Sequence, residues 1–529
     1  MAQASRTERY VGLAGAILVA AAGYGVGALP GHTPFGQLPT PTRLADPAYA
    51  VGMAAWLVGV VLLVVAWLRL RRPAYEGVLS DRWMLVTVGL WALPMLLSAP
   101  LGSRDGYAYA AQGDLYAHGL DPYQVGPSAL PSRWLGEMSP SWRDSPVPYG
   151  PLALLVTRVA AAPGNLTVAL VVLRLAALAG VLLLAWHLPR LARACGVPAG
   201  AACWLGLGSP VLLVHLVSGA HNDALMLGLL VAGLAYAARR RGVPAGLALG
   251  LAAAVKITAL VALPFAVVLL LPATRLLAAA GTSPGAGPAT RVDADPETGR
   301  GPGPDARRGS AAGVGRLVRA AVAPFLAGAV GFAAVTLVSG LGFGWVSALS
   351  GTEASVQWTS LPTGVGMVLG FPLAVAGLPG AGGVLAVCRA VAFYAVLPVV
   401  LVALWWPLRH GAATRTVVAR AGWALAALLL CSPTVHPWYV LWPVAVLAAA
   451  VTDQRVVRTL AVLLVVLTAL VLPDGYNLAR VTAPVGALAD VAVVVALAVS
   501  AVRRWRGDAR MRIVTPAVTV RNRAPGPDA

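Results

Sequence analysis

The sequence predicts an all-α, polytopic membrane protein, and three observations carry that prediction. Of its 529 residues, 58% are hydrophobic and 11% charged, with a mean hydropathy of +0.77. A soluble chain carries about a quarter charged residues. The apolar excess recurs along nearly the whole chain in stretches of spanning length, which excludes a soluble enzyme on a single anchor. A disordered or collagen-like chain is excluded too, because Gly and Pro punctuate the apolar runs rather than replace them. The third observation is where the charge lies. There are 39 Lys+Arg against 20 Asp+Glu, and the arginines gather beside apolar runs: Arg69, Arg71 and Arg72; Arg190 and Arg193; Arg239, Arg240 and Arg241; Arg503, Arg504 and Arg506. Short basic loops at span ends mark the cytoplasmic side. The charge therefore speaks for a membrane partner and against nucleic acid.

A crossing needs roughly 20 apolar residues. Candidate spans fall near 11–29, 50–70, 83–101, 165–188, 197–217, 222–238, 243–272, 318–340, 383–406, 416–433, 437–451, 459–473 and 485–502. The first follows Arg6 and Arg9 but is long and lacks an Ala-x-Ala cleavage site, so it reads as a retained span. The stretch 243–272 is basic at both ends and holds Lys256, the chain's only lysine. Two short helices meeting near Lys256 satisfy the charge rule better than one crossing. By the same rule 364–380 is a re-entrant or interfacial segment. The expected total is about 13–14 helices with both termini cytoplasmic. The expected organisation is a transmembrane region 1–272 with a long first extracytoplasmic loop 102–163, a flexible Pro/Gly-rich cytoplasmic linker 273–315, a second transmembrane region 316–506 and a cytoplasmic tail 507–529. Cys195, Cys203, Cys388 and Cys431 show neither disulfide nor zinc spacing.

In this topology the chemically able residues outside the arginine clusters collect on the extracytoplasmic side. Asp105 directly follows the third span, with Arg104 beside it. Such a carboxylate can act as general base toward a hydroxyl; as a helix cap it would be equally at home. Asp121-Pro122 and Pro148-Tyr149-Gly150-Pro151 are turn sequences first. The rings of Tyr109, Tyr123 and Tyr149 can stack on sugars or serve only as interface aromatics. His221, Asn222 and Asp223 open a span, as substrate ligands or as a cap. Lys256 is costly within an apolar stretch, about 2.5–3.5 kcal/mol on insertion scales, and suits a phosphate held while it leaves; snorkelling is the alternative. His436, Trp438 and Tyr439 form a turn between spans, with His436 able to bind phosphate. Glu353 is a second candidate carboxylate and Arg480 a second phosphate ligand. Metal binding has no ligand set to support it, and no Walker A loop, Gly-x-Ser-x-Gly elbow or His-Glu-x-x-His occurs.

Taken in order, Ser103-Arg-Asp105-Gly-Tyr-Ala-Tyr-Ala-Ala-Gln-Gly113, Gly119-Leu-Asp-Pro-Tyr123, Pro148-Tyr-Gly-Pro151, His221-Asn-Asp223, Lys256 and His436-Pro-Trp-Tyr439 resemble the actinobacterial polyprenyl-phosphomannose-dependent α-1,6-mannosyltransferases. The resemblance covers roughly residues 80–480. No cofactor is expected from the residues, and a divalent metal is without support. The resemblance implies a GT-C fold, a polyprenyl-phosphate mannose donor and a mannan or lipoglycan acceptor. It also implies inversion at the anomeric carbon, with Asp105 as the base. Lys256, aided by His436, would then meet the departing phosphate, and His221 to Asp223 would shape the substrate pocket. The competing reading is a transporter or lipid-linked-sugar flippase. Such proteins place polar sites near the bilayer midplane on broken helices, and the one-sided cluster argues against it.

Overall fold

The computed structural model describes residues 2–31, 40–271, 304–349 and 356–514. Among them the regular structure is all helical, with a single isolated antiparallel bridge between Val471 and Asn477. Seven helices are long and apolar enough to cross a membrane, and a bent pair raises this to eight. The protein is a multi-pass membrane protein. The expected crossing 437–451 is a shorter helix instead, Pro437–Ala448, while 243–272 forms two short helices as expected and Leu361–Val375 is too short for a full span.

The breaks between helices have local causes. Gly242–Val255 ends at Lys256, whose extended backbone (φ −151°) interrupts the helix before a 3-10 turn, Ile257–Ala262, and the helix Leu263–Leu270. The run 197–217 is not one span: it divides into Ala199–Gly206 and a π-helical segment, Leu212–Ser218. That segment meets the next helix, Asp223–Ala238, at 107°. The chain turns there through Ala220 at φ +53°, a conformation that a non-glycine residue adopts at a cost.

Two expected boundaries move. The helix Pro304–Ser339 takes in 304–315, which the composition assigned to a flexible linker; residues 273–303 of that linker lie outside the described residues. Proline is favoured at the first helical position, and Ala306, Arg307 and Arg308 after it are good helix formers. The last helix, Ala483–Val514, likewise continues into the expected tail through Ala509, Arg510, Met511 and Arg512.

With lipid outside and no water within, helix association rests on close packing and internal hydrogen bonds. A Cβ on Gly180 would overlap the backbone of Ala224, so glycine lets Leu166–Ala194 lie directly against Asp223–Ala238. Trp67 and Trp204 are fully buried and stacked at 4.7 Å. Each indole N–H donates to the other residue's carbonyl, at 2.9 and 2.6 Å. One large core runs through the bundle. A small second core, Tyr116, Tyr123, Val147, Leu154 and Trp345, fastens the loop 118–150 to it.

Candidate active site

The loop entering the site is fixed before its carboxylate is reached. Gly102 donates its N–H to the Pro473 carbonyl (2.9 Å), and its positive φ of 70° suits glycine. Arg104 donates to the Leu29 and Glu137 carbonyls and pairs with the Glu137 carboxylate at 3.5 Å. Asp105 is then the first residue of the helix Asp105–Ala117, not its cap. Its backbone N–H donates to Ser103 Oγ at 3.0 Å, and its side chain is left for other work. The helix N-terminus favours an anion there.

That side chain faces His221, whose Nδ1 lies 3.3 Å from Asp105 Oδ2. His221 is wholly buried and stacked on Trp438 at 3.9 Å between centroids. Trp438 also meets the rings of His215 (5.0 Å) and His436 (4.8 Å), so one indole holds three imidazoles in place. Burial pushes the Asp105 carboxyl up, but His221, His436 and the Ser103 hydroxyl outweigh it and hold the group at about 2. Burial pushes the His436 imidazole down to about 4, with Asp105 opposing. At neutral pH the site therefore presents an ionised carboxylate and a neutral imidazole.

A second pair forms the adjoining wall. Lys256 Nζ lies 2.9 Å from Asp223 Oδ1, and the Trp442 indole N–H donates to the same oxygen at 2.7 Å. The ammonium also sits 4.0 Å from the Tyr439 ring centroid, 4.8 Å from Trp442 and 5.6 Å from Tyr149. Aromatic faces attract a cation in this way. Lys256 is thus an engaged cation in an aromatic cage.

Both pairs border one cavity of about 600 Å³. Asp105, Tyr109, Tyr149, Lys256, His436 and Tyr439 are among its polar lining, while Phe393, Leu428, Val346 and Leu349 supply apolar wall. Burial raises the Tyr109 and Tyr149 phenols well above their usual range, so both remain hydroxyl donors. A largely apolar pocket with a few convergent polar groups is the usual form of a small-molecule site.

Of the residues singled out in the sequence, six line this cavity directly. His221, Asp223 and Trp438 stand behind them in contact with lining groups. Asn222 precedes the helix Asp223–Ala238, and its side chain has no hydrogen bond among the described residues. Four others are not brought to the cavity lining. Arg104 is tied to Leu29 and Glu137. The Asp121 carboxylate accepts the Tyr123 backbone N–H at 2.9 Å, closing a turn. Tyr123 belongs to the second core. Arg480 is exposed beside the Tyr476 ring, 5.9 Å away. Glu353 lies outside the described residues. Among the described residues no group of three or more His, Cys, Asp or Glu could hold a metal ion.

The cavity also contains Trp142, one of the aromatics of the first outer loop, and three residues not singled out from the sequence: Arg389, Gln112 and Trp442. Arg389 carried a usable signal, a single charge inside the apolar run 383–406, the same one that drew attention to Lys256.

A buried carboxylate and imidazole opening on a cavity among apolar spans describe a membrane-embedded enzyme, and its sequence relatives make it a glycosyltransferase. Residues 9–272 match the family model described as alpha-(1->6)-mannopyranosyltransferase, N-terminal domain, and residues 362–502 match the MptB C-terminal domain. The alpha-(1->6)-mannopyranosyltransferase A of Mycobacterium tuberculosis is 34% identical, over 88% of this chain and 84% of the relative. The alpha-(1->6)-mannopyranosyltransferase B of Corynebacterium glutamicum is 29% identical, over 83% and 72%. The A enzyme of the same organism is 29% identical, over 72% and 75%. The chain belongs to the α-(1→6)-mannopyranosyltransferase family. No solved structure matches it.

Proposed function

We propose that this protein moves mannose from a polyprenyl-phosphate donor to a mannan or lipoglycan acceptor. The reaction takes place on the extracytoplasmic face of the plasma membrane and forms α-1,6 links with inversion. The observation that carries this reading is Asp105: a largely buried carboxylate, ionised at neutral pH, opening on a largely apolar cavity with a few convergent polar groups.

The step balances as follows. The acceptor's 6-hydroxyl oxygen forms a bond to the mannose anomeric carbon as the bond from that carbon to the phosphate oxygen breaks. The electron pair leaves with polyprenyl phosphate, and the hydroxyl proton passes to Asp105. His221 holds the carboxylate at the helix start, so the base is oriented before substrate arrives. Rate then comes from holding oxygen against carbon and from stabilising the departing phosphate. Neutral His436 can donate a hydrogen bond to that phosphate. The Tyr109 and Tyr149 hydroxyls and the Trp142 face suit sugar hydroxyls and rings. The cytoplasmic placing of both termini follows from the arginine clusters.

The test supplies membranes with labelled polyprenyl-phosphate mannose and a short α-mannoside. Transfer by wild type, with α-1,6 product and near-complete loss in Asp105→Asn at normal expression, supports the reading. Wild-type membranes that transfer nothing, or only from a nucleotide sugar, would sink it.

A further inference from the structure

The cavity holds a second cation, and its surroundings differ from those of Lys256. Arg389 ends the helix Ala381–Ala390, inside the long apolar span Ala381–Leu408, and is only 6% exposed. An ionisable side chain at such a place is a functional site by default. Its Nε donates to Thr363 Oγ1 at 2.9 Å. Thr363 Oγ1 donates to the Pro433 carbonyl, and Ser360 Oγ to the Ser432 carbonyl, each at 2.8 Å. These bonds fasten Arg389 to the turn that carries His436. On its own span, by contrast, its neighbours in the cavity wall are Ala386, Ala390, Phe393 and Tyr394. Directly after it the helix widens into a π-helical turn, Val391–Val396, an irregularity frequent at functional sites.

Arg389 thus joins the polar turn of His436 to an apolar wall. A lipid phosphate asks for that combination: a cation for the head and hydrocarbon beside it for the tail. A guanidinium fork matches two phosphate oxygens at once, which a point-charge ammonium does not. Lys256, meanwhile, is engaged by Asp223 at 2.9 Å.

We infer that Arg389 anchors the phosphate of the lipid donor, with Phe393 and Tyr394 seating the first units of its chain, and that Lys256 serves the wall of the cavity instead. This rests on the proposed lipid-phosphate donor. Because the anchor grips the donor before and after transfer, its loss raises KM for the donor more than it lowers kcat.

The test uses the purified full-length protein in detergent, with two probes of equal chain length: a polyprenyl phosphate without sugar, and the corresponding polyprenol. Binding is read from quenching of tryptophan fluorescence. A charge-assisted hydrogen bond corresponds to about a tenfold preference or more, so wild type should favour the phosphate by at least that, and Arg389→Gln should fall to within about twofold. In the transfer assay the same variant should show a donor KM raised about tenfold, with acceptor KM unchanged. A full phosphate preference in Arg389→Gln overturns the anchor while leaving the donor reading intact. Absence of the preference in wild type overturns the lipid-phosphate donor itself. Should Arg389→Gln fail to fold, Arg389→Lys decides: the preference should drop at least threefold or so with the fork gone, and an undiminished preference overturns the assignment.

Discussion

The two carboxylate–nitrogen pairs of the cavity wall are built to different ends. In the pair Lys256–Asp223 the contact is 2.9 Å, Asp223 is 2% exposed, and Trp442 holds the same oxygen. In the pair His221–Asp105 the contact is 3.3 Å, the imidazole is sealed, and the carboxylate is 18% exposed toward the cavity. In the first the carboxylate is shut away and only the ammonium side meets the cavity; in the second the carboxylate itself faces whatever fills the cavity. In the proposed reaction, similar charges within one site would thus serve structure in one pair and chemistry in the other, according to which carboxylate faces the cavity.

Four experiments press on that difference, from the largest effect downward. Asp105→Asn should abolish turnover, by at least about a thousandfold, with an unchanged melting curve, because it removes the base while keeping the shape. A loss of folding with turnover in proportion would place Asp105 among the structural groups instead. Lys256→Met should destabilise the protein by about 3–5 kcal/mol, since it strands a buried carboxylate, and the double change with Asp223→Leu should recover much of that. Thermal unfolding in detergent measures both; a stable, merely slow single variant would show the pair to be part of the chemistry.

His221→Gln should reduce kcat about tenfold and alter its pH dependence. With Asp105 held at about 2, the carboxylate is ionised at all ordinary pH and contributes no acid limb there. Without the imidazole, burial raises the carboxyl, protonation begins at higher pH, and the acid limb moves upward. Rate profiles from pH 4 to 8 check this, and an unmoved limb would separate His221 from the base. The smallest effect belongs to Arg480→Ala, expected to stay within about twofold of wild type because the residue is exposed and away from the cavity lining. A large rise in donor KM would return it to the site.

Much of this site was legible in the amino-acid order, for one physical reason. Where nearly everything is apolar, a polar side chain at the edge of a run is conspicuous, and Asp105, His221, Lys256 and His436 all stand out that way. The break at Lys256 was legible too, because a single crossing would have put a basic end on the wrong side. What the order could not supply was pairing. Asp223 lies 33 positions before Lys256, and only the packing of their helices makes them partners. Arginines were harder to read, because most of them report orientation. Arg389 went unread for that reason, and Arg480, which lies outside the cavity lining, was promoted instead. The helix ends at 304 and 514 were missed because stretches rich in glycine and proline, or lacking apolar periodicity, were read as unstructured, while the helix formers within them decided the backbone.

The Lys256–Asp223 pair has a consequence for descent. Neither Lys256 nor Asp223 can be replaced alone without leaving a largely buried charge unpaired, so drift at these positions should proceed in couples. Family members that lack the lysine are expected to lack the aspartate as well, with apolar residues filling both places. Asp105 and His221 are under no such rule. There the imidazole is free to vary to another donor while the carboxylate stays, and a comparison across the family would show one position fixed and its neighbour merely restricted.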